Sequence, residues 1–376
     1  MYISFDDGNS WKPFQLNLPI TSIRDLKIKD NDLIVATHGR SFWIIDDLTP
    51  LHQLNDDVLL SESYLYKPDI SYRMQQSGGW GRSNNLLNGV NHPNGVIINY
   101  TLKKFNENDY VKIDIIDNNN NLIRSFTNNK EKLLSSLEKP VLSNTNDIEY
   151  ALSGNNIKSL SPKSGGNKLI WDMRYPGFKS FDGMILYSSP NVGPKAVPGT
   201  YKVRLTYNNE VMSKDFEILK DPRLSNTQND YLEQFNFLIS VRDQVSISNQ
   251  SIIDIRKIKK DLQYIIDKSS DNKQLISLIN EFSNKLSVIE NKIHMTKNQS
   301  RQDPLNYGIR INNRLAFLMA DSQRGDFPPT DQSIEFFNVI KEELNYELAS
   351  FNKVLNTYVS QINNMIEDNN IKFISF

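Results

Sequence analysis

The hydrophobic period of this chain changes once, at Asp221-Pro222, and that change limits its fold more than any other feature. Before it, short runs alternate apolar and polar residues: Val96 to Leu102, Tyr110 to Ile116, Leu122 to Phe126, Leu169 to Met173, Tyr201 to Tyr207 and Val211 to Ile218. Alternation places successive side chains on opposite faces, so each run reads as a β-strand, and together they predict a sandwich. Asn118 to Asn121 and Asn208-Asn209 supply tight turns, because asparagine tolerates left-handed backbone; Pro198-Gly199 is a turn signal ahead of a strand. After Pro222 the spacing becomes three and four. Phe235, Leu238, Val241, Val245, Ile252, Ile255, Leu262 and Ile265 mark one face of a long helix, and Leu275, Leu278, Phe282, Leu286, Ile289 and Ile293 mark a second. Asp303 as cap and Pro304 as first helical residue predict a third helix ending near Gly325. Thr330 caps a fourth, carrying Phe337, Ile340, Leu344, Leu348, Phe351, Leu355, Ile362 and Ile366. The stripes are sufficient to drive a bundle, each fully buried Leu or Ile contributing about 1.5–3 kcal/mol before ordering entropy. The polar run Ser246 to Ser251 is where the first helix is expected to bend, and part of one stripe is a candidate homodimer seam.

Composition excludes several function classes. With 376 residues the chain has room for two or three domains. Lys plus Arg is 43 against 44 for Asp plus Glu, a net charge of −1 without long single-sign blocks, which argues against a nucleic-acid groove or a polybasic membrane anchor. Cysteine is absent, which removes disulfides, thiol nucleophiles and thiolate metal sites. The apolar run Leu315 to Ala320 is far shorter than the roughly 20 residues that span a bilayer. His38, His52, His92 and His294 are scattered without metal-ligand spacing, and neither a serine elbow nor a phosphate-cradling glycine motif is present, so no cofactor and no metal are expected. Gln75 to Asn94 reads as a Gly/Asn-rich linker, and residues 128–165 as an irregular insertion.

The amino terminus begins as a strand. Met1 to Phe5 lacks the basic and apolar regions of a signal peptide and runs into the turn residues Asp6, Asp7, Gly8 and Asn9, with Trp11 to Leu16 as a returning strand. Ile23 to Ile28, Leu33 to Thr37 and Ser41 to Ile45 follow as a meander. Ser4-Phe5-Asp6-Asp7-Gly8-Asn9-Ser10-Trp11 fits the Asp-box, or bacterial neuraminidase repeat, at every defined position. Its logic is a turn in which the Asp6 carboxylate accepts backbone N–H bonds, Gly8 supplies positive φ and Trp11 wedges beneath. Ala36-Thr37-His38-Gly39-Arg40-Ser41-Phe42-Trp43-Ile44-Ile45-Asp46-Asp47 resembles the last-blade segment of sortilin-type and neuraminidase-repeat β-propellers often labelled glycosyl hydrolases. Asn167 to Gly177, Pro198 to Leu205 and Leu219 to Arg223 are similar to the β-sandwich that follows such propellers in bacterial members. Asp303 to Tyr307 and Pro329 to Ser333 resemble its helical carboxyl-terminal region.

The resemblance implies a multidomain β plus α chain. Residues 1–50 would be the last blade or blades of an Asp-box propeller, 51–92 a connecting segment, 93–222 an immunoglobulin-like (Ig-like) β-sandwich and 223–376 a helical bundle. One and a half blades cannot bury their own apolar faces, so these residues are expected either to pack on the following sandwich or to belong to a longer protein that holds the remaining blades. The implied function is binding of peptide, protein or glycan by the full propeller, with this chain as non-catalytic support, in a protein that is secreted, periplasmic or cell-surface. The alternative is a sialidase-like glycoside hydrolase whose centre lies in the missing blades; Asp6-Asp7 and Asp46-Asp47 are sequence neighbours on opposite strand faces and do not form a catalytic pair themselves. Ser4, Asp6, Gly8, Ser10 and Trp11 are then structural. His38 and Arg40 are the candidate ligand-binding residues, since a guanidinium grips a carboxylate with two bonds; Arg40 is equally a candidate for tying the blade to the sandwich. Trp43, Trp80 and Trp171 are either core residues or platforms for sugar rings.

Overall fold

The computed structural model describes residues 1–75, 92–135, 157–269 and 272–368. It is a mixed β and α structure in two compact units: Met1–Pro140 with Lys158–Met173 and Gly199–Asp221, and Val141–Ile157 with Arg174–Pro198 and Pro222–Phe376. Most of the expected linker, with Trp80, and the middle of the expected insertion lie outside the described residues.

The first unit opens with a hairpin of β1 (Tyr2–Ile3) and β2 (Lys12–Pro13), then the antiparallel meander β3 (Ile23–Lys29), β4 (Asp32–Thr37) and β5 (Phe42–Ile45). The second hairpin strand is much shorter than its apolar run suggests. Pro13 has no N–H for a ladder, and Leu16 takes a φ of 45°, turning the chain away. Two short helices follow, α1 (Thr49–Gln53) and α2 (Asp56–Leu60).

Two further sheets form the body of this unit. β6 (Ser63–Leu65) and β12 (Gly165–Trp171) flank β8 (Val96–Leu102), all antiparallel. The other sheet has six strands in the order β11-β10-β9-β13-β14-β7. Its centre comprises β9 (Val111–Ile116), β10 (Leu122–Thr127), β13 (Gly199–Tyr207) and β14 (Glu210–Lys220). β11 (Lys158–Ser159) and β7 (Ser71–Arg73) join the edges in parallel. One face presents Ile113, Ile115, Val203, Leu205, Phe216 and Ile218, all buried. Trp171, fully buried at the end of β12, meets this face edge-on, with ring centroids 5.9 Å from Tyr201 and 6.1 Å from Phe216. On the opposite face the buried Asp114 carboxylate accepts from Ser125 Oγ at 2.7 Å and pairs with Arg204 at 2.8 Å and Lys112 at 3.0 Å. A buried charge persists only with such partners. α3 (Lys130–Ser135) follows β10.

The second unit is built on α4 (Gln228–Lys268), α5 (Lys273–Ile293), α7 (Ile311–Asp321) and α8 (Asp331–Asp368), with a single turn of helix, α6 (Pro304–Tyr307), before α7. Its core joins Leu238, Val245 and Ile255 of α4 to Phe282 and Leu286 of α5, Leu315 of α7 and Ile340 of α8. Thr227 and Asp230 close a reciprocal capping box at the start of α4, while Asn272 caps α5 and Thr330 Oγ1 accepts from Ser333 N before α8.

Three details of this unit differ from the sequence reading. α4 runs unbroken through Ser246 to Ser251, because Ser246, Ser248 and Ser251 turn their hydroxyls onto the carbonyls of Arg242, Val245 and Ser248 and are buried rather than solvated. Asp303 is not a side-chain cap; its carboxylate accepts from the backbone N–H groups of Gln299 and Ser300, at 2.7 and 2.8 Å. The expected third helix is two, because Gly308 at φ 73° stops α6 before α7 begins.

Candidate functional site

The residues of the Ser4–Trp11 turn are held by their own side chains. Ser4 Oγ donates to Asp6 Oδ1 at 2.8 Å and accepts from Gly8 N at 2.8 Å. Asp6 Oδ1 accepts from Ser10 N at 2.9 Å and Oδ2 from Ser10 Oγ at 2.5 Å. These donors, led by the Ser10 hydroxyl, hold the Asp6 carboxyl down at about 2, so it is ionised at pH 7. Gly8 has a φ of 89°, and a Cβ there would sit 3.6 Å from the Trp11 ring, whose Nε1 donates back to Gly8 O at 3.0 Å. The β4–β5 turn repeats this last bond: Trp43 Nε1 donates to Arg40 O at 2.9 Å, again to the carbonyl of the third residue before it.

The meander that follows has one apolar face and one mixed face. Register puts Leu26, Ile28, Leu33, Val35, Trp43 and Ile45 on the first, and Ile34, Ala36, Phe42 and Ile44 together with the charged Asp25, Lys27, Lys29 and Asp32 on the second. Only Val35 is buried, at 2% exposure, whereas Ile28 is 59%, Phe42 72% and Ile44 56% exposed. The first face meets the hairpin at a shallow apolar recess of about 500 Å³ lined by Met1, Tyr2, Trp11, Ile23 and Leu26.

The two ends of this meander have different fates. At the β3–β4 end, Asp47, at φ 68°, accepts from Thr49 N at 3.0 Å through Oδ1 and from Asn99 Nδ2 on β8 at 2.8 Å through Oδ2. Its own N–H donates to Asp32 Oδ1 at 3.0 Å, and Asn31 Nδ2 lies between Asp47, Thr49 and Asp69, at 3.2, 2.6 and 3.0 Å. This cluster ties the meander to the rest of its unit, a role the sequence offered to Arg40. Arg40 lies at the other end, in the β4–β5 turn beside His38. There the structure adds Arg24, whose Nη2 lies 3.0 Å from His38 Nδ1. Sequence reasoning missed Arg24, since nothing in a β-strand pattern marks which residue will fall in a bulge. It missed the Asp47 cluster for a related reason: the partners are up to 52 residues apart.

Elsewhere the structure gathers polar groups as core. Trp171 is a core residue and Trp43 is half-buried. In the helical unit Asn312 Nδ2 donates to Asn249 Oδ1 at 3.0 Å and lies 3.1 Å from His294 Nδ1, all three buried. Burial, with Arg256 nearby, pushes the His294 imidazole down to about 4, so it is neutral at pH 7. Glu290 on the same helix takes Arg256 at 2.8 Å and Lys259 at 3.1 Å. A second recess, about 480 Å³ and lined by Lys67, Asp69, Asp215 and Glu217 among others, lies beside β7 and β14. Among the described residues no three His, Asp or Glu side chains come together as a metal-holding group, and no helix is long and apolar enough to cross a membrane. No family model, no curated protein and no solved structure matches this chain.

Proposed function

We propose that this chain is the carboxyl-terminal region of a longer, exported Asp-box β-propeller protein of the sortilin-like kind, whose complete propeller binds peptide, protein or glycan. Residues 1–50 act as its last strands, the paired sheets as an Ig-like sandwich beside them, and the helical unit as support without catalytic activity. The observation that carries this reading is the apolar face of the β3–β5 sheet, where only Val35 is buried while Leu26 and Ile28 are 49% and 59% exposed. An apolar sheet face left uncovered calls for a neighbour that covers it, as a stacked repeat supplies. The Ser4–Trp11 turn supports the same reading, since each defined position of the motif has a bond, a positive φ or a ring contact to make. The class of ligand rests on the sequence resemblance alone.

The test is to isolate the native protein from its source with antiserum against residues 228–268 and sequence it by mass spectrometry. The expected result is a chain well above 43.4 kDa, containing peptides outside this sequence with further Ser/Thr-x-Asp-x-Gly-x-Ser/Thr-Trp boxes. A native chain of 43.4 kDa, or a longer one without such boxes, would overturn the reading.

A further inference from the structure

Residues 174–198, all among the described residues, belong to the helical unit and contain no helix or strand, only an isolated bridge between Arg174 and Lys195. Irregular stretches longer than about 12–15 residues in a compact unit are usually lids or binding loops. This one closes at its neck, where Tyr175 N donates to Pro194 O at 2.9 Å and a Cβ on Gly193 would stand 2.0 Å from Tyr175 O. Beyond the neck, side chains of the helices hold its main chain. Lys179 N donates to Ser246 Oγ on α4 at 3.0 Å, while Lys179 O accepts from Asn249 Nδ2 at 2.6 Å. Further along, Tyr187 N donates to Asn313 Oδ1 on α7 at 2.7 Å, and Tyr187 O accepts from Asn313 Nδ2 at 3.1 Å. Both clamps bond main-chain atoms, which every amino acid supplies. Between them the chain turns, with Met184 N donating to Phe181 O at 3.2 Å and Gly183 at φ 74°. Phe178, Phe181, Met184 and Leu186 pack on the helical core, and the Arg256 guanidinium of α4 lies over the Phe181 ring, 4.7 Å from its centroid. Of these four only Phe178 is buried; the others are half-buried, as side chains seated on a surface are.

We propose that the surface of α4 and α7 under residues 178–187 is a receptor for a peptide, occupied in this structure by the chain's own loop. Main-chain bonds hold a peptide of any sequence and seats for side chains select among peptides; here the two clamps supply the first and the positions of Phe178, Phe181 and Met184 the second. The partner that fits is a peptide of the same chemistry: two aromatic side chains and a methionine at spacing three, with a glycine turn before the methionine. Such a peptide competes with the loop for one seat. The closed neck lets the loop lift while its ends stay joined, and apart from Phe178 every buried residue of the core beneath comes from a helix, so the receptor keeps its shape when the loop leaves.

The experiment uses the full chain, isotope-labelled in its amide nitrogens, and as probe an unlabelled synthetic peptide of residues 176–191. Hydrogen exchange is followed by NMR at the amides of Lys179 and Tyr187 and at those of Val241 and Val245 in α4. In the chain alone the two clamped amides should exchange at least about 100-fold faster than those of α4, because the loop lifts while the helices stay formed. Excess peptide should speed Lys179 and Tyr187 further, by holding the loop off its seat, and leave α4 unchanged. The same peptide carrying Phe178→Ser, Phe181→Ser and Met184→Ser should have no effect. Phe181→Ser with Met184→Ser in the chain, where both are half-buried, weakens the loop's own hold, so fluorescein-labelled peptide should bind that variant at least about ten-fold more tightly than the unaltered chain. Clamped amides that exchange only as slowly as α4, exchange that the peptide leaves unchanged, or binding no tighter in the variant each overturn the proposal. Should the variant lose its helical circular dichroism, the exchange measurement on the unaltered chain decides. Neither readout involves the propeller reading, so either can fail while the native-mass experiment succeeds, and the reverse.

Discussion

At the scale of single residues, Asp6 and His294 have pKa values displaced for opposite reasons. Asp6 is exposed and held ionised by serine donors, whereas His294 is buried and held neutral by desolvation. In the folded helical unit His294 titrates at about 4 against 6.5 for a free imidazole, with Phe181 packed edge-on at 5.0 Å, Arg256 and Glu290 facing it and Asn312 donating to Nδ1. The unfolded chain therefore takes up a proton below pH 6.5 that the folded unit refuses until pH 4. Stability is complete above pH 6.5 and declines as the pH falls towards 4, by about 3 kcal/mol for a shift of this size. Urea unfolding followed by helical circular dichroism at pH 7 and 4.5 checks this. His294→Gln should lower stability at pH 7 yet flatten the difference between the two pH values. An equally steep pH dependence in the variant would show that other groups carry it. In the sequence this histidine is one of four scattered ones, because the burial and the Arg256 charge that keep it neutral come from other parts of the helical unit.

At the scale of elements, periodicity located the strands and helices well but not how they join. The alternation of Val96 to Leu102 and the three-and-four spacing of Leu275 to Ile293 are local, and each element forms where its pattern runs. Strand order is not local. β7 beside β14 and β11 beside β10 are parallel edge pairings of two or three residues, too short to leave a pattern. Ser246 to Ser251 misled for a chemical reason: serine is polar in a sequence but self-satisfied in a helix once its hydroxyl bonds back. The junction at Asp47 was legible only as a doublet with Asp46, although the meander depends on it. Asp47→Ala removes the acceptor for Thr49 N and Asn99 Nδ2 and places a Cβ-only side chain at φ 68°. About 1–3 kcal/mol of local stability should be lost. Chymotryptic cleavage at Phe42 or Trp43 is expected to accelerate several-fold while the melting of the helical unit stays within a degree. Unchanged cleavage would show that the meander is held by other contacts.

At the scale of the whole molecule, the sequence and the structure agree on a contradiction. A β-unit with a well-buried core around Trp171 and a helical unit with a well-buried core around Phe282 are joined in one chain to a sheet that buries only Val35. Both cores are well buried and the meander is not. Hydrophobic residues left exposed on a sheet, worth about 25 cal/mol per Å² once covered, make sense where a covering surface exists. This separates the isolated chain from the longer protein by a single pair of substitutions. Phe42→Lys with Ile44→Lys alters one exposed face of β5. In this chain the pair should leave the melting temperature within about a degree, as surface changes do, and lower aggregation and dye binding. If the chain belongs to a propeller as proposed, the same pair introduced into that longer protein would bury two unpaired ammonium groups against the next blade and cost several kcal/mol, seen as a loss of at least about 8 °C in its melting. Equal tolerance in both would mean that this face meets water in the native protein, and the exposed apolar residues of the meander would then need a different explanation.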